Sequence, residues 1–223
     1  LKNINLSITK NSSVAFVGPT GVGKTTLVDI ILGLLEPSLG KLEVDGQLID
    51  SKNVRSWRQN VGYVPQSIYL SDDTIRQNIA LGVSEDNIDP KLLREALIVS
   101  HLSDFVDSLP DGIETIIGER GIKLSGGQRQ RIGIARALYA KANVLVLDEA
   151  TSALDGITEL VIEEAIKELR GRVTVITIAH RLTTIRDCDK VYMLQGGRIA
   201  ASGSYADLLQ ENETFRQMAR TTE

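Results

Sequence analysis

The sequence contains a single cysteine, Cys188, so no disulfide can close within it. That usage fits a reducing compartment. Long apolar runs are missing too. Residues 30–35 are interrupted by Gly33 and preceded by Asp29, and residues 144–147 form a run of only four. Nothing approaches the ~18 apolar residues that a membrane-spanning helix requires. The N-terminus shows no basic start followed by an apolar stretch and a small-residue cleavage site. An excess of basic charge is also absent: 25 Lys+Arg face 29 Asp+Glu, a formal net charge of −4. This argues against a nucleic-acid footprint, which needs a basic surface. There is no internal repeat and no low-complexity segment. What remains is an ordinary globular composition, 42% hydrophobic and 24% charged over 223 residues. A chain of this length can bury roughly 70–75% of its unfolded surface. It starts at Leu1 rather than methionine and reads as a segment of a longer protein.

Strands and helices alternate along the chain. Ile4, Leu6 and Ile8 alternate with polar residues, which predicts a half-exposed strand. Residues 14–17 predict a buried strand that runs into a glycine-rich turn. Residues 25–35 predict a helix that stops near Pro37, because proline cannot continue it. Asp45-Gly46 between residues 41–44 and 47–49 is a two-residue hairpin signal. Val61–Val64 predicts another strand. Residues 74–81, 90–99 and 102–109 predict helices, a helical insertion. Residues 144–147 and 173–178 are continuous apolar runs of the kind found inside parallel sheets. Between them Ile162, Ala165, Ile166 and Leu169 share one helix face, closed by Gly171. Residues 191–194 and 198–201 bracket Gly196-Gly197, a second hairpin, and a polar helical tail follows. The sum is an α/β fold with a mostly parallel sheet, whose ligands bind at the carboxyl ends of the strands.

The first chemical motif sits at such an end. Gly18-Pro19-Thr20-Gly21-Val22-Gly23-Lys24-Thr25 fits G-x-x-x-x-G-K-[ST] after a strand and before a helix. The glycines let backbone N–H groups approach phosphate oxygens, and the helix N-terminus directs partial positive charge at the same anion. Lys24 reaches the β- and γ-phosphates, the Thr25 hydroxyl ligates Mg²⁺, and Thr26 contacts the α-phosphate. The second motif is Asp148-Glu149, closing the apolar run 144–147. A hard Mg²⁺ takes one or two carboxylates plus phosphate and water, which makes Asp148 the metal-side carboxylate. Glu149 is then placed to face the γ-phosphate and polarise water as general base.

Leu124-Ser125-Gly126-Gly127-Gln128 narrows the reading. With the phosphate loop, Gln66, the carboxylate pair, Ser152-Ala153-Leu154-Asp155 and His180 in that order, the chain resembles an ATP-binding cassette (ABC) ATPase domain from end to end. The resemblance implies a P-loop NTPase with a RecA-like, mostly parallel sheet core, an N-terminal antiparallel β region and a helical subdomain. Residues 1–66 and 141–223 would form the core with the β region, and residues 67–140 the helical subdomain. It implies that Gln66 touches Mg²⁺ and the attacking water. Ser125, Gly126, Gly127 and Gln128 would cap the γ-phosphate held by a second copy, with Asp155 at the contact between copies. His180 would bond the γ-phosphate and hold the Glu149–water geometry. Each residue alone has a plainer reading: a polar loop residue for Gln66, a helix N-cap for Ser125, a packed strand-end histidine for His180. His101 lies near no motif and reads as a surface or packing residue.

Thr115-Ile116-Ile117-Gly118-Glu119-Arg120-Gly121, residues 63–70 followed by 74–79, and residues 179–185 resemble exporter-type cassettes. That implies fused membrane helices upstream, a membrane-domain contact near residues 69–73, and a seat on the cytoplasmic face of a bacterial inner membrane. Partners would be a second ATPase domain and the transmembrane domains, with no nucleic acid. Cofactors would be ATP and Mg²⁺. Arg55-Ser56-Trp57-Arg58 faintly resembles exporters of lipid-linked sugars; the plainer reading of Trp57 is packing. The alternative is a soluble cassette acting on nucleic acid or ribosomes. An aromatic adenine platform usually precedes the first strand of such domains. None is present, which predicts weaker nucleotide binding than in a longer chain, by the ~1–3 kcal/mol of one stacking contact.

Overall fold

A computed structural model describes residues 1–148, 156–179 and 181–222, without the side chains of residues 157, 158, 221 and 222. In chain order the elements are β1 (Ser13–Val17), α1 (Lys24–Ile31), β2 (Glu43–Val44), β3 (Gln47–Leu48), α2 (Val54–Gln59), β4 (Val61–Val64), α3 (Ile75–Ile79), α4 (Pro90–Val99), α5 (Ser103–Asp107), α6 (Gly126–Tyr139), β5 (Val144–Asp148), α7 (Gly156–Leu169), β6 (Thr174–Ile178), β7 (Lys190–Gln195), β8 (Arg198–Gly203), α8 (Tyr205–Glu211) and α9 (Glu213–Thr222). Six strands follow the order β4-β5-β6-β1-β7-β8, and β2-β3 is a separate two-stranded sheet. The chain divides into two compact units. One is Leu1–Val61, Asn143–Glu149 and Arg170–Glu223; the other is Gly62–Ala142 and Ala150–Leu169.

In the first unit β1 pairs in parallel with β6 and β7, β5 pairs in parallel with β6, and β8 returns antiparallel on β7. All five residues of β1 are buried, as expected for a central parallel strand covered on both faces. Val14, Phe16, Val146, Ile176, Ile178, Tyr192 and Leu194 pack with Leu27, Val28 and Ile31 of α1 on one side. Ala15, Val17, Val191 and Met193 pack with Leu208 of α8 and Phe215 of α9 on the other. The α/β reading of the sequence, mostly parallel sheet and separate antiparallel hairpin included, is what the fold shows. The hairpin turn uses φ +50° at Asp45 and φ +78° at Gly46, the two positive values a two-residue type I′ turn demands.

Three local expectations differ from the structure. Residues 4–8 keep their alternation, with Ile4, Leu6 and Ile8 half-buried and their neighbours exposed, but no ladder partner makes them a strand among the described residues. Helix α1 ends at Ile31, well before Pro37. Gly33 takes φ +69°, and the N–H groups of Leu34 and Leu35 turn back to the Asp29 carbonyl, which closes the helix with a left-handed glycine. Helix α2 has no counterpart in the sequence reading. It is held from outside: the Trp57 indole donates to the Ile31 carbonyl at 2.6 Å, and the Arg58 guanidinium donates to the Gly33 carbonyl.

The second unit is helical around its own core of Leu70, Ile75, Ile79, Leu93, Leu97, Leu102, Ile117 and Ile132. Two of its helices carry orthodox N-caps. Thr74 caps α3, and Asp89 caps α4 with Pro90 at the first turn.

Candidate functional site

The phosphate-loop segment joins β1 to α1 in the first unit. Gly18 leaves the strand at φ +146°, and a Cβ there would sit 2.3 Å from the Leu194 carbonyl oxygen. Phe16 and Val17 lie opposite Tyr192 and Met193, and the β7–β8 register shifts between Met193 and Leu194. The loop is therefore pressed against β7 backbone, and glycine is the side chain that fits. Gly21 and Gly23 also have positive φ, +78° and +104°. Pro19, Thr20 and Gly21 are exposed, while Val22 and Gly23 are half-buried.

Helix α1 starts from Gly23 with no side-chain cap and no acidic residue in its first turn. Helices α3, α4, α6 and α8, by contrast, each have a side chain accepting from their first-turn N–H groups. Among the described residues no side chain caps the first turn of α1, whose dipole directs partial positive charge at the loop, an arrangement that suits phosphate. Thr25 and Thr26 are exposed on that first turn. Lys24 is 6% exposed, and its ammonium donates to the Gly18 carbonyl at 2.7 Å and to the Pro19 carbonyl at 3.1 Å.

Asp148 is half-buried at the end of β5, in register with Ile178 of β6, which is in register with Phe16 of β1. The carboxylate and the loop thus leave the sheet at the same, carboxyl end of its strands. Hydroxyl and carboxylate oxygens from Thr25 and Asp148 are the hard donors Mg²⁺ prefers.

Gln66 and Ser125–Gln128 belong to the second unit. Ser125 is exposed, and its Oγ accepts the Gln128 N–H at 3.2 Å while its own N–H donates to Gln128 Oε1 at 2.8 Å. This capping box satisfies two first-turn donors reciprocally. The plainer N-cap reading of Ser125 is therefore real, and the hydroxyl proton is still available for another acceptor. Gly127 is buried and Gly126 half-buried behind it. The Gln66 carbonyl accepts from Gln130 Nε2 at 2.8 Å, so Gln66 and the start of α6 are brought together in one unit. Glu149, Asp155 and His180, with Ser152, Ala153 and Leu154, lie outside the described residues. His101 has φ +53°, its Nε2 lies 3.5 Å from Glu168, and its carbonyl accepts from Arg131 at 2.6 Å, a packing role.

A glycine-lined loop between a central parallel strand and a helix that no side chain caps among the described residues, with a carboxylate at the same end of the sheet, defines a phosphate-loop nucleotide-binding α/β protein. The comparisons specify it. The family model described as "ABC transporter" matches residues 1–152. The ATP-dependent lipid A-core flippase of Thiobacillus denitrificans is 42% identical over 218 residues, covering 98% of this chain and 38% of its own length. An uncharacterized ABC transporter ATP-binding protein of Bacillus subtilis, YwjA, is 42% identical over 98% of this chain and 38% of its own length. The solved structure of a bacterial Atm1-family ABC exporter with ATP bound superposes with a TM-score of 0.90 at 39% identity, covering 99% of this chain and 38% of that one. The chain belongs to the ABC transporter family. It spans about 38% of the length of the relatives it matches.

Proposed function

We propose that this domain hydrolyses ATP as one half of a head-to-tail pair and so powers export of a lipid or lipid-linked molecule. The observation that carries the reading is the N-terminus of α1, which no side chain caps among the described residues, at the carboxyl end of the sheet where Asp148 ends β5. Lys24 exchanges its loop carbonyls for β- and γ-phosphate oxygens. Thr25 and Asp148 would hold Mg²⁺, which when bound would neutralise phosphate charge, with Gln66 the further ligand that the resemblance implies. Glu149 takes the proton of the attacking water, and His180 bonds the γ-phosphate. Ser125, Gly126 and Gly127 face the nucleotide of the second copy, with Asp155 at the contact between copies.

The flippase relatives support a lipid cargo. That the chain spans little more than a third of their length supports a protein that also contains membrane domains. Among the described residues no helix is long and apolar enough to cross a membrane. A seat on the cytoplasmic face of a bacterial inner membrane follows from this reading.

Glu149→Gln tests the reading. It should keep ATP binding, accumulate an ATP-bound pair and lose roughly 10²–10⁴ in hydrolysis, the scale of a positioned general base. Turnover near the parent value would remove Glu149 from that role.

A further inference from the structure

The loop that contains Gln66 is fastened along one stripe of α6. Gln130 Nε2 donates to the Gln66 carbonyl at 2.8 Å and reaches the Pro65 carbonyl at 3.4 Å. One turn further on, Gly133 admits the loop's side chains: a Cβ there would lie 2.6 Å from Ile68 Cδ1 and 3.3 Å from Val64 Cγ1. After another turn, Arg136 donates through Nη2 to the Tyr69 carbonyl at 3.1 Å and through Nε to the Asn78 carbonyl at 2.9 Å. Positions three apart share a helix face, so 130, 133 and 136 form one continuous seam. Asn78, fully buried, closes the far end. Its Nδ2 donates to the Ser71 and Thr74 carbonyls at 3.1 and 3.0 Å, and its Oδ1 accepts from the Ser71 N–H at 3.0 Å.

Gln130 is the member of this seam nearest the reacting end. It sits one turn into the helix that Ser125 caps, and it is 6% exposed. Its Oε1 is buried and has no hydrogen-bond partner among the described residues. A buried amide with one unsatisfied acceptor contributes little to folding, because the orphan atom offsets much of what the donor bonds supply. An apolar side chain of similar length would serve the core about as well. What the amide does supply is direction, since it fixes two consecutive carbonyls of the Gln66 loop to the helix that Ser125 caps.

We propose that Gln130 is a positioning residue for hydrolysis, holding the backbone of Pro65 and Gln66 so that Gln66 and Ser125 are presented as one rigid piece. This rests on the reading that Gln66 touches the metal and the attacking water. Gln130 meets neither; it acts through Gln66.

The test is a double-mutant cycle on steady-state ATP hydrolysis in the intact protein, with thermal melts of every variant. Gln130→Met keeps length and removes the donor. It should lower kcat by about 10- to 10²-fold, the scale of a misplaced reacting group, with KM for ATP changed less than about threefold. In a Gln66→Ala background the same substitution should cost nothing further, within about twofold. If Gln130→Met folds poorly, Gln130→Asn, one methylene too short to span to Gln66, reads the same quantity. Independent, multiplicative losses would overturn the proposal alone, as would a rate that falls only in step with melting temperature. Parental kcat in Gln66→Ala itself would remove the underlying reading and the proposal with it.

Discussion

Gly18 lies against the carbonyl oxygen of Leu194 with no room for a side chain between them: a Cβ on Gly18 would approach that oxygen to 2.3 Å. Gly21, three residues along the same loop, has nothing within 4 Å of the equivalent position among the described residues. Gly18→Ala should therefore lower stability by about 2 kcal/mol or more, since strand backbone must move. Gly21→Ala should cost only the left-handed strain of about 1 kcal/mol. Denaturant unfolding of the pair checks this, and equal midpoints would contradict it.

Ser125 has two separable duties. As the cap of α6, its replacement by alanine should cost about 1 kcal/mol, whereas Ser125→Asn, an equally good cap, should melt near the parent. If its hydroxyl also meets phosphate, the asparagine variant will be stable and slow. Melting curves run beside ATP turnover separate the two, and an asparagine variant with parental turnover would leave Ser125 as a cap only.

Trp57→Phe removes the indole donor that meets the Ile31 carbonyl at 2.6 Å while keeping an aromatic ring. A loss of about 1 kcal/mol is expected in urea unfolding followed by circular dichroism. No loss would mean that the indole bond does not hold α2.

Cys188 is buried and accepts from the Ser13 hydroxyl at 3.5 Å; burial pushes its thiol above the ordinary range. Only thiolate reacts, so a disulfide reagent at neutral pH should label the folded protein slowly and the unfolded protein at once. The raised value also sets a pH trend. The stability it reflects is full below the ordinary thiol range and falls as pH climbs through the raised folded value. Prompt labelling without denaturant would refute the burial.

The phosphate loop and the Asp45-Gly46 hairpin were legible because each depends on identities at fixed spacing, and local backbone chemistry demands those identities. The sheet was legible because continuous apolar runs such as 144–147 can only be covered on both faces. Helix α2 was not: none of its residues is buried, and its anchors are carbonyls from a distant helix end. The strand expected at residues 4–8 had the right alternation, but pairing depends on a neighbour that no local pattern reports. The stop of α1 lies at Gly33, whose left-handed φ closes the helix before Pro37 can act on it. Among the site residues, the phosphate loop and Asp148 announce themselves, while Gln130 looks like any polar helix residue until the loop it holds is seen.

The first turn of α1, which no side chain caps among the described residues, has a practical corollary. Any small oxyanion that settles there relieves the same dipole that ATP would, and whatever binds only the folded form raises its melting point by mass action. Preparations kept in sulfate or phosphate should look sturdier than those in chloride, and an inhibitor screen by thermal shift would have to choose its buffer accordingly.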